Sequence, residues 1–242
     1  MKPITIIHHL GLGDQIMLNG MVRHFAEVRK VNIFVKNCHE ESVRFMYRDI
    51  EHKVNLILLE TTDPGEIREK LPIDSYILPL ATYAMENESW HFYAKMTNWA
   101  HGVYLQAGVN PLYMHTKFKV VRAITSEIEP PVGDYIFVHD DAERDRVINV
   151  TSDLTIYRPK TKVIDKNQEF FECEHSNIFK YLSIIENAKE VHCMNSSYNW
   201  MIELMTIGTP RKNFFHLGIA HPYYDDDLVK SVFTDHVWTF IK

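Results

Sequence analysis

The stretch IIHHLGLGDQIMLNGMVRHFA, residues 6–26, decides how this chain is read. A short run rich in β-branched residues, Ile4 to Ile7, predicts a strand. His8 and His9 follow, then Gly11 and Gly13, then Asp14, and then Leu18, Met21, Val22 and Phe25 at helical spacing. A turn needs one glycine. Two glycines and a carboxylate at a helix start suggest that a ligand must fit there, because glycine lets it approach the backbone closely. The unpaired N–H groups of a helix N-terminus favour anions and polar ligands. Asp14 has two readings at this point, a plain helix cap or a ligand-facing carboxylate. The turn is not a Walker A loop, because no Gly-Lys-Ser/Thr follows. It also lacks the dinucleotide fingerprint, because Ile16 stands where a third glycine would be.

Outward from this turn, strand and helix signals alternate. VNIFVKN and VNLILLE predict strands, EESVRFMYRDI a helix, DPGEIREKL a short helix opened by Asp and Pro, and DSYILPL a fourth strand. Such alternation with short connections implies a parallel sheet covered on both faces. Residues 88–119 interrupt it with a helical, aromatic stretch, in which Trp90, His91, Tyr93 and Trp99 read as core or as an acceptor platform. The alternation resumes after EIEPPVGD, whose paired prolines mark a linker. YIFVHDD is then a strand, and TIYRPKTKVIDKN holds a short one. SNIFKYLSIIENA is a helix capped by Ser176, and EVHCM is a strand. SSYNWMIELMTIG is a helix ended by Gly208, KNFFHLG is a strand, and a helix with a terminal segment closes the chain. The expected fold class is α/β, two Rossmann-like halves facing across a cleft. Residues 1–128 form the first half and residues 129–242 the second. Ligands of such sheets bind at the carboxyl ends of the strands.

Composition excludes several classes. The chain has 242 residues, 45% hydrophobic and 24% charged, with a net charge of −6, so a whole-chain basic footprint for nucleic acid is absent. Its three cysteines, Cys38, Cys173 and Cys193, form no disulfide framework and no C-x-x-C zinc motif. The first apolar run is too short for a signal peptide, and no stretch approaches the length of a membrane span. The expectation is a cytoplasmic protein without an integral membrane segment, peripheral to a membrane only through its acceptor.

Two further constellations carry chemistry. YIFVHDDAERDR ends a strand in His139, Asp140 and Asp141, with Arg144 and Arg146 beyond. Arginines after a strand end can clamp a diphosphate, whereas adjacent carboxylates can hold a divalent metal, and a solvated loop is the bland alternative. EVHCMNSSYNWMIEL runs a strand into Asn195, Ser196 and Ser197 at a helix start, where capping and phosphate binding are both open. GIAHPYYDDDL reads as a solvated loop, with His221 and Tyr223 as cleft candidates.

The order of the three sites resembles the GT-B glycosyltransferases. GLGDQIMLNGMVR resembles the Gly-x-Gly-Asp turn of bacterial heptosyltransferases, and ENAKEVHCMNSSYNWMIEL resembles their late C-terminal segment and the serine-bearing late motif of several fucosyltransferases. YIFVHDDAERDR stands where these families carry basic donor-phosphate residues. The resemblance implies a glycosyltransferase that moves a sugar from a nucleotide-sugar donor to a glycan or other hydroxyl acceptor, with inversion and without a metal or other cofactor. Asp14 would be the general base. His8, His9, Gly11, Gly13 and Gln15 would line the acceptor or sugar. His139, Asp140, Asp141, Arg144, Arg146, Glu186, Asn195, Ser196 and Ser197 would hold the nucleotide-sugar. The chain is much shorter than a typical heptosyltransferase, and His-Asp-Asp replaces the usual lysine-containing segment. The donor therefore stays open among ADP-, GDP-, UDP- and dTDP-sugars. A nucleotide-sugar epimerase or hydrolase, a non-catalytic nucleotide-binding module, and a single-sheet metal-dependent transferase using His139-Asp140-Asp141 are the competing expectations.

Overall fold

A computed structural model describes residues 1–61, 63–80, 99–141, 145–159, 161–165, 168–173, 177–208, 212–219, 227, 230–233 and 237–242. The chain divides into two compact units, Met1–Val121 and Arg122–Lys242. Arg122 explains where the division falls. Its guanidinium reaches both Glu127 oxygens at 2.9 and 2.6 Å and Glu186 at 2.6 Å, and Glu127 also accepts from the Ser183 hydroxyl at 2.6 Å. The Ile128 N–H bonds Lys180 O at 2.8 Å. Residues 122–128, which the sequence assigned to the first half, are therefore held by partners in the second unit.

The first unit is built on a four-stranded sheet of order β3-β2-β1-β4, with β1 at Ile4–Ile7, β2 at Val31–Lys36, β3 at Val54–Leu59 and β4 at Tyr76–Pro79. Every pairing in it is parallel. Parallel neighbours need crossovers, and helices supply them: α1 (Leu12–Met17) and α2 (Asn19–Ala26), α3 (Glu40–Tyr47), and α4 (Pro64–Glu69). Asp63 caps α4 by accepting the Gly65 N–H at 2.5 Å, with proline at the first helical position, as DPGEIREKL predicts. Ile7, Leu10, Phe34, Leu59 and Ile67 form one apolar cluster that fastens α4 to the sheet. Among the described residues two more helices follow, α5 at Trp99–Gln106 and α6 at Tyr113–Thr116. Trp90, His91 and Tyr93 lie outside the described residues, and Trp99 opens α5.

The sequence predicts one helix after the glycine turn, and the structure has two. The cause is Tyr104. In an unbroken helix the Met21 N–H would bond to Met17 O. Instead the buried Tyr104 hydroxyl donates to Met17 O at 2.9 Å and accepts the Met21 N–H at 3.2 Å. A hydroxyl inserted into the ladder kinks the helix at Leu18 while leaving both backbone groups bonded. Asn19, fully buried, then pins the segment after α6. Its side chain accepts the Lys119 N–H at 2.9 Å and donates to Lys119 O at 3.3 Å.

The second unit carries a five-stranded parallel sheet of order β11-β10-β9-β5-β6. Its strands are β5 (Tyr135–His139), β6 (Thr155–Tyr157), β9 (Glu190–Cys193), β10 (Asn213–His216) and β11 (Thr239–Ile241). An antiparallel pair, β7 (Thr161–Asp165) and β8 (Gln168–Cys173), stands apart from it. Ser176 lies outside the described residues. The cap of the next helical segment is Asn177, whose side chain accepts the Phe179 N–H at 3.1 Å before a 3-10 turn (Ile178–Tyr181) and α7 (Leu182–Asn187). Helix α8 (Ser197–Met205) ends before Gly208, because Thr206 already takes the left-handed conformation at φ 53°. The C-terminal segment is a strand, and Trp238 beside it donates from its indole to the buried Glu203 at 2.9 Å.

Close packing in the first unit leaves no room at Gly20. A Cβ there would lie 1.9 Å from the backbone oxygen of Tyr113. Gly20→Ala should destabilise the chain by about 1–3 kcal/mol through overpacking, and Tyr104→Phe by about 1–3 kcal/mol through two orphaned buried backbone groups. Both are read from the urea midpoint. Wild-type stability in either variant would show that the helix pair does not depend on these contacts.

Candidate functional site

In a parallel sheet whose strand order reverses, a crevice opens at the carboxyl ends of the two strands flanking the reversal. The first unit reverses between β1 and β4, and the second between β5 and β9. The glycine turn leaves β1. His139 ends β5, and Asn195-Ser196-Ser197 follow β9. Each group of sequence candidates therefore lies at the switch point of its own sheet.

In the first unit Asp14 is not the helix cap. Gly11 is, with φ −69° and ψ 148°, and Asp14 stands three residues in. Its carboxylate folds back and accepts the N–H groups of Gly11 and of Asp14 itself, which is the return arm of a capping box. A Cβ on residue 11 would meet Asp14 Oδ2 at 2.6 Å, so the carboxylate occupies the space that glycine leaves. Burial raises the Asp14 pKa, and the charges of His9 and Lys36 and the two N–H groups oppose that rise. Leu10 precedes the turn at φ 60°, a left-handed conformation that costs a leucine about 1–2 kcal/mol. Its buried side chain and its N–H, which bonds His8 Nδ1 at 3.2 Å, hold it there. That bond needs a lone pair on Nδ1, so the His8 proton sits on Nε2. Burial lowers the His8 pKa to about 4 and keeps the ring neutral.

Gln15 is buried and spends its amide on Phe34 O at 2.7 Å, which ties the start of α1 to β2. His9 is exposed and Gly13 half-buried. Sequence reasoning missed Lys36, Cys38 and His39, at the carboxyl end of β2 next to the turn. Lys36 acts electrostatically on Asp14, Cys38 and His39. Their signal was the strand end itself, since KNCH follows a parallel strand as HHLG does.

In the second unit His139 is buried, stacks on Tyr198 with centroids 4.1 Å apart, and hydrogen-bonds Ser196 Oγ through Nδ1 at 3.0 Å. Burial depresses its pKa to about 3, so the ring is neutral. Ser196 precedes α8 with its N–H on Asn199 Oδ1 at 2.5 Å. Asn195, Ser196 and Ser197 are all half-buried at the helix start. Asp140 turns inward, where its carboxylate accepts the Ile148 N–H at 3.0 Å and Arg158 Nε at 3.2 Å, while Arg158 also bonds Ile148 O at 2.9 Å. Arg158, just past the carboxyl end of β6, is a further residue that sequence reasoning missed. Asp141 and Arg146 exchange both backbone hydrogen bonds at 2.9 Å, and Asp145 has φ 58°. Glu186 sits on α7 and pairs with Arg122. Arg144, His221 and Tyr223 lie outside the described residues. No described helix is long and apolar enough to cross a membrane.

The raised pKa of Asp14 has a signed consequence. A carboxyl group more basic in the folded state favours folding in acid, and that contribution is lost as pH rises through its folded pKa. Asp14→Asn should therefore be more stable than the parent at pH 8 and lose that advantage at pH 3, by urea denaturation at the two values. An advantage independent of pH would show that Asp14 ionises as freely as an exposed carboxylate.

No family model matches the chain, and no curated protein does. Solved structures do. The iron-containing dodecameric glycosyltransferase TibC from enterotoxigenic E. coli H10407 aligns with a TM-score of 0.51 at 8% identity, over 88% of this chain and 57% of that one. Dodecameric TibC in complex with ADP-D-beta-D-heptose, described as a heptosyltransferase, aligns with the same TM-score at 9% identity, over 88% of this chain and 58% of that one. The chain thus spans somewhat more than half the length of these proteins. Its fold is the two-sheet, Rossmann-like α/β fold of the GT-B glycosyltransferases.

Proposed function

We propose that the chain is a glycosyltransferase that uses a nucleotide-sugar donor and a hydroxyl acceptor, with Asp14 as general base. The observation that carries this reading is the Asp14 carboxylate, half-buried with a raised pKa, held over Gly11 at the switch point of the first sheet. A base gains from a raised pKa and a fixed position; burial raises the Asp14 pKa, and the Gly11 and Asp14 N–H groups fix the carboxylate.

In the transfer step Asp14 accepts the proton of the acceptor hydroxyl. The acceptor oxygen forms its bond to the anomeric carbon as the bond from that carbon to the diphosphate oxygen breaks, and the electron pair leaves with the diphosphate. Attack from the opposite face inverts the centre. The charge that develops on the leaving group suits the start of α8 at Ser196 and Ser197 and the arginines Arg144 and Arg146. Because Asp140 is engaged by Arg158 and Ile148, the reading assigns neutralisation of the diphosphate to cations of the chain instead of to a metal. The TibC complex with ADP-D-beta-D-heptose supports a nucleotide-sugar as the donor class. The acceptor is a glycan or other hydroxyl compound.

The test is a thermal-shift panel of ADP, GDP, UDP, dTDP and their sugars, with and without EDTA. A ligand at about a hundred times its Kd adds about 2.7 kcal/mol. One nucleotide family should raise the Tm, with EDTA making no difference. Asp14→Asn should keep that shift and lose transfer by about a hundredfold or more. Transfer surviving in Asp14→Asn would remove the base assignment. A shift that requires a divalent ion would replace arginine neutralisation by metal chemistry.

A further inference from the structure

A second polar constellation in the second unit plays no part in that scheme. Glu190 and His192 stand two apart on β9 and so share a sheet face. Phe214 of β10 is opposite His192, and its ring stacks on the imidazole with centroids 4.7 Å apart. His216 lies two residues further along β10, on the same face and at the carboxyl end of the strand. The three side chains form a line. His192 Nε2 is 3.1 Å from Glu190 Oε2, and His192 Nδ1 is 2.9 Å from His216 Nε2.

The line fixes its own protons. A carboxylate only accepts, so His192 carries its proton on Nε2. Burial lowers the pKa of both rings, His216 to about 4, so each is neutral near pH 7 and holds a single proton. His192 Nδ1 is then a lone pair, and His216 must donate to it from Nε2. His216 Nδ1 is left as a lone pair in turn. Among the described residues no group bonds to that nitrogen. The ring is half-buried, at the carboxyl end of β10, which neighbours the switch-point strand β9, and within electrostatic range of Asp140. A neutral, tautomer-locked acceptor suits a hydroxyl group. It does not suit an anion, which the lone pair would repel.

We propose that His216 Nδ1 accepts a hydrogen bond from a hydroxyl group of the bound sugar nucleotide, and that Glu190 and His192 are positioning residues which hold His216 in the accepting tautomer. The inference rests on the nucleotide-sugar reading of the second unit. It assigns a binding contact to β10, a strand from which no site residue was drawn. The hydroxyl belongs to the ribose or to the transferred sugar, and a nucleoside diphosphate without its sugar separates the two.

The experiment is ring 15N NMR on the uniformly labelled full chain near pH 7.5, with ADP, GDP, UDP, dTDP and their sugar conjugates added in turn and calorimetry run in parallel. Without ligand, both His192 and His216 should show the Nε2-protonated tautomer. With the nucleotide that calorimetry shows to bind, the His216 Nδ1 signal should move toward its hydrogen-bonded position while the tautomer stays unchanged. Movement with the diphosphate alone identifies the ribose, and movement only with the conjugate identifies the sugar. His216→Asn, which keeps an acceptor near the Nδ1 position, should retain affinity within about threefold, and His216→Leu should lose about tenfold. His192→Phe should let His216 populate both tautomers. An Nδ1-protonated His216 in the free chain, or a bound nucleotide that leaves the ring signals still, overturns the inference alone. No binding of any nucleotide by calorimetry overturns it together with the reading beneath it.

Discussion

A parallel strand must be entered from the same end as its neighbour, so every connection crosses one face of the sheet. Successive crossovers that run the same way stack side by side. Where the strand order reverses, the crossovers part to opposite faces and leave a gap at the carboxyl edge. This constraint places the chemistry in both units. In the first, β2 and β3 are laid to one side of β1 and β4 to the other, so the loop leaving β1 opens into the gap. In the second, β6 goes to one side of β5, and β9, β10 and β11 to the other. Ser196 and His139 then meet because they end the two strands that flank the reversal.

Much of this was legible in the sequence, because the signals were local. β1, β2 and β5 are buried along nearly their whole length, and buried parallel strands read as unbroken apolar runs. Asp63 and Pro64 announce α4 within two residues. What escaped was decided far away in the chain. Nothing in residues 14–26 says that the helix breaks at Leu18, because the hydroxyl that breaks it comes from Tyr104. The terminal residues look like a tail until β10 offers an edge to pair with. Of the candidate site, the residue types and their order could be read, but not their states. Asp14 read as a helix cap or a ligand-facing carboxylate, and what the sequence could not show is that Gly11 takes the cap position while the carboxylate closes back over it. Asp140 looked like half of an acidic pair, and Arg158, 18 residues on, turns it inward.

The two sites are also alike in how they manage charge. Each keeps a buried histidine neutral, His8 at the end of β1 and His139 beside Ser196, with burial as the first cause of the lowered pKa. A neutral imidazole packs like an aromatic ring and still accepts one hydrogen bond, from Leu10 in the first case and with Ser196 in the second. In both places it shapes the backbone at a strand end without adding a full charge beside the crevice. The cationic character of each site is left to longer side chains, Lys36 in one and Arg146 in the other.

The two sheets differ in when they can close. Among the described residues the four strands of the first are all in place by Pro79, since they are consecutive in the chain. The second needs Thr239–Ile241, which pair with β10. In a polypeptide made from its N-terminus, the first sheet can form while the second unit is still being synthesised. The edge of β10, with Phe214 and Phe215 on it, stays unpaired until the last strand arrives. An unpaired apolar edge is a template for the wrong partner. The last strand made is therefore the one that covers β10, so this sheet cannot close until the whole second unit has left the ribosome and Thr239–Ile241 have docked.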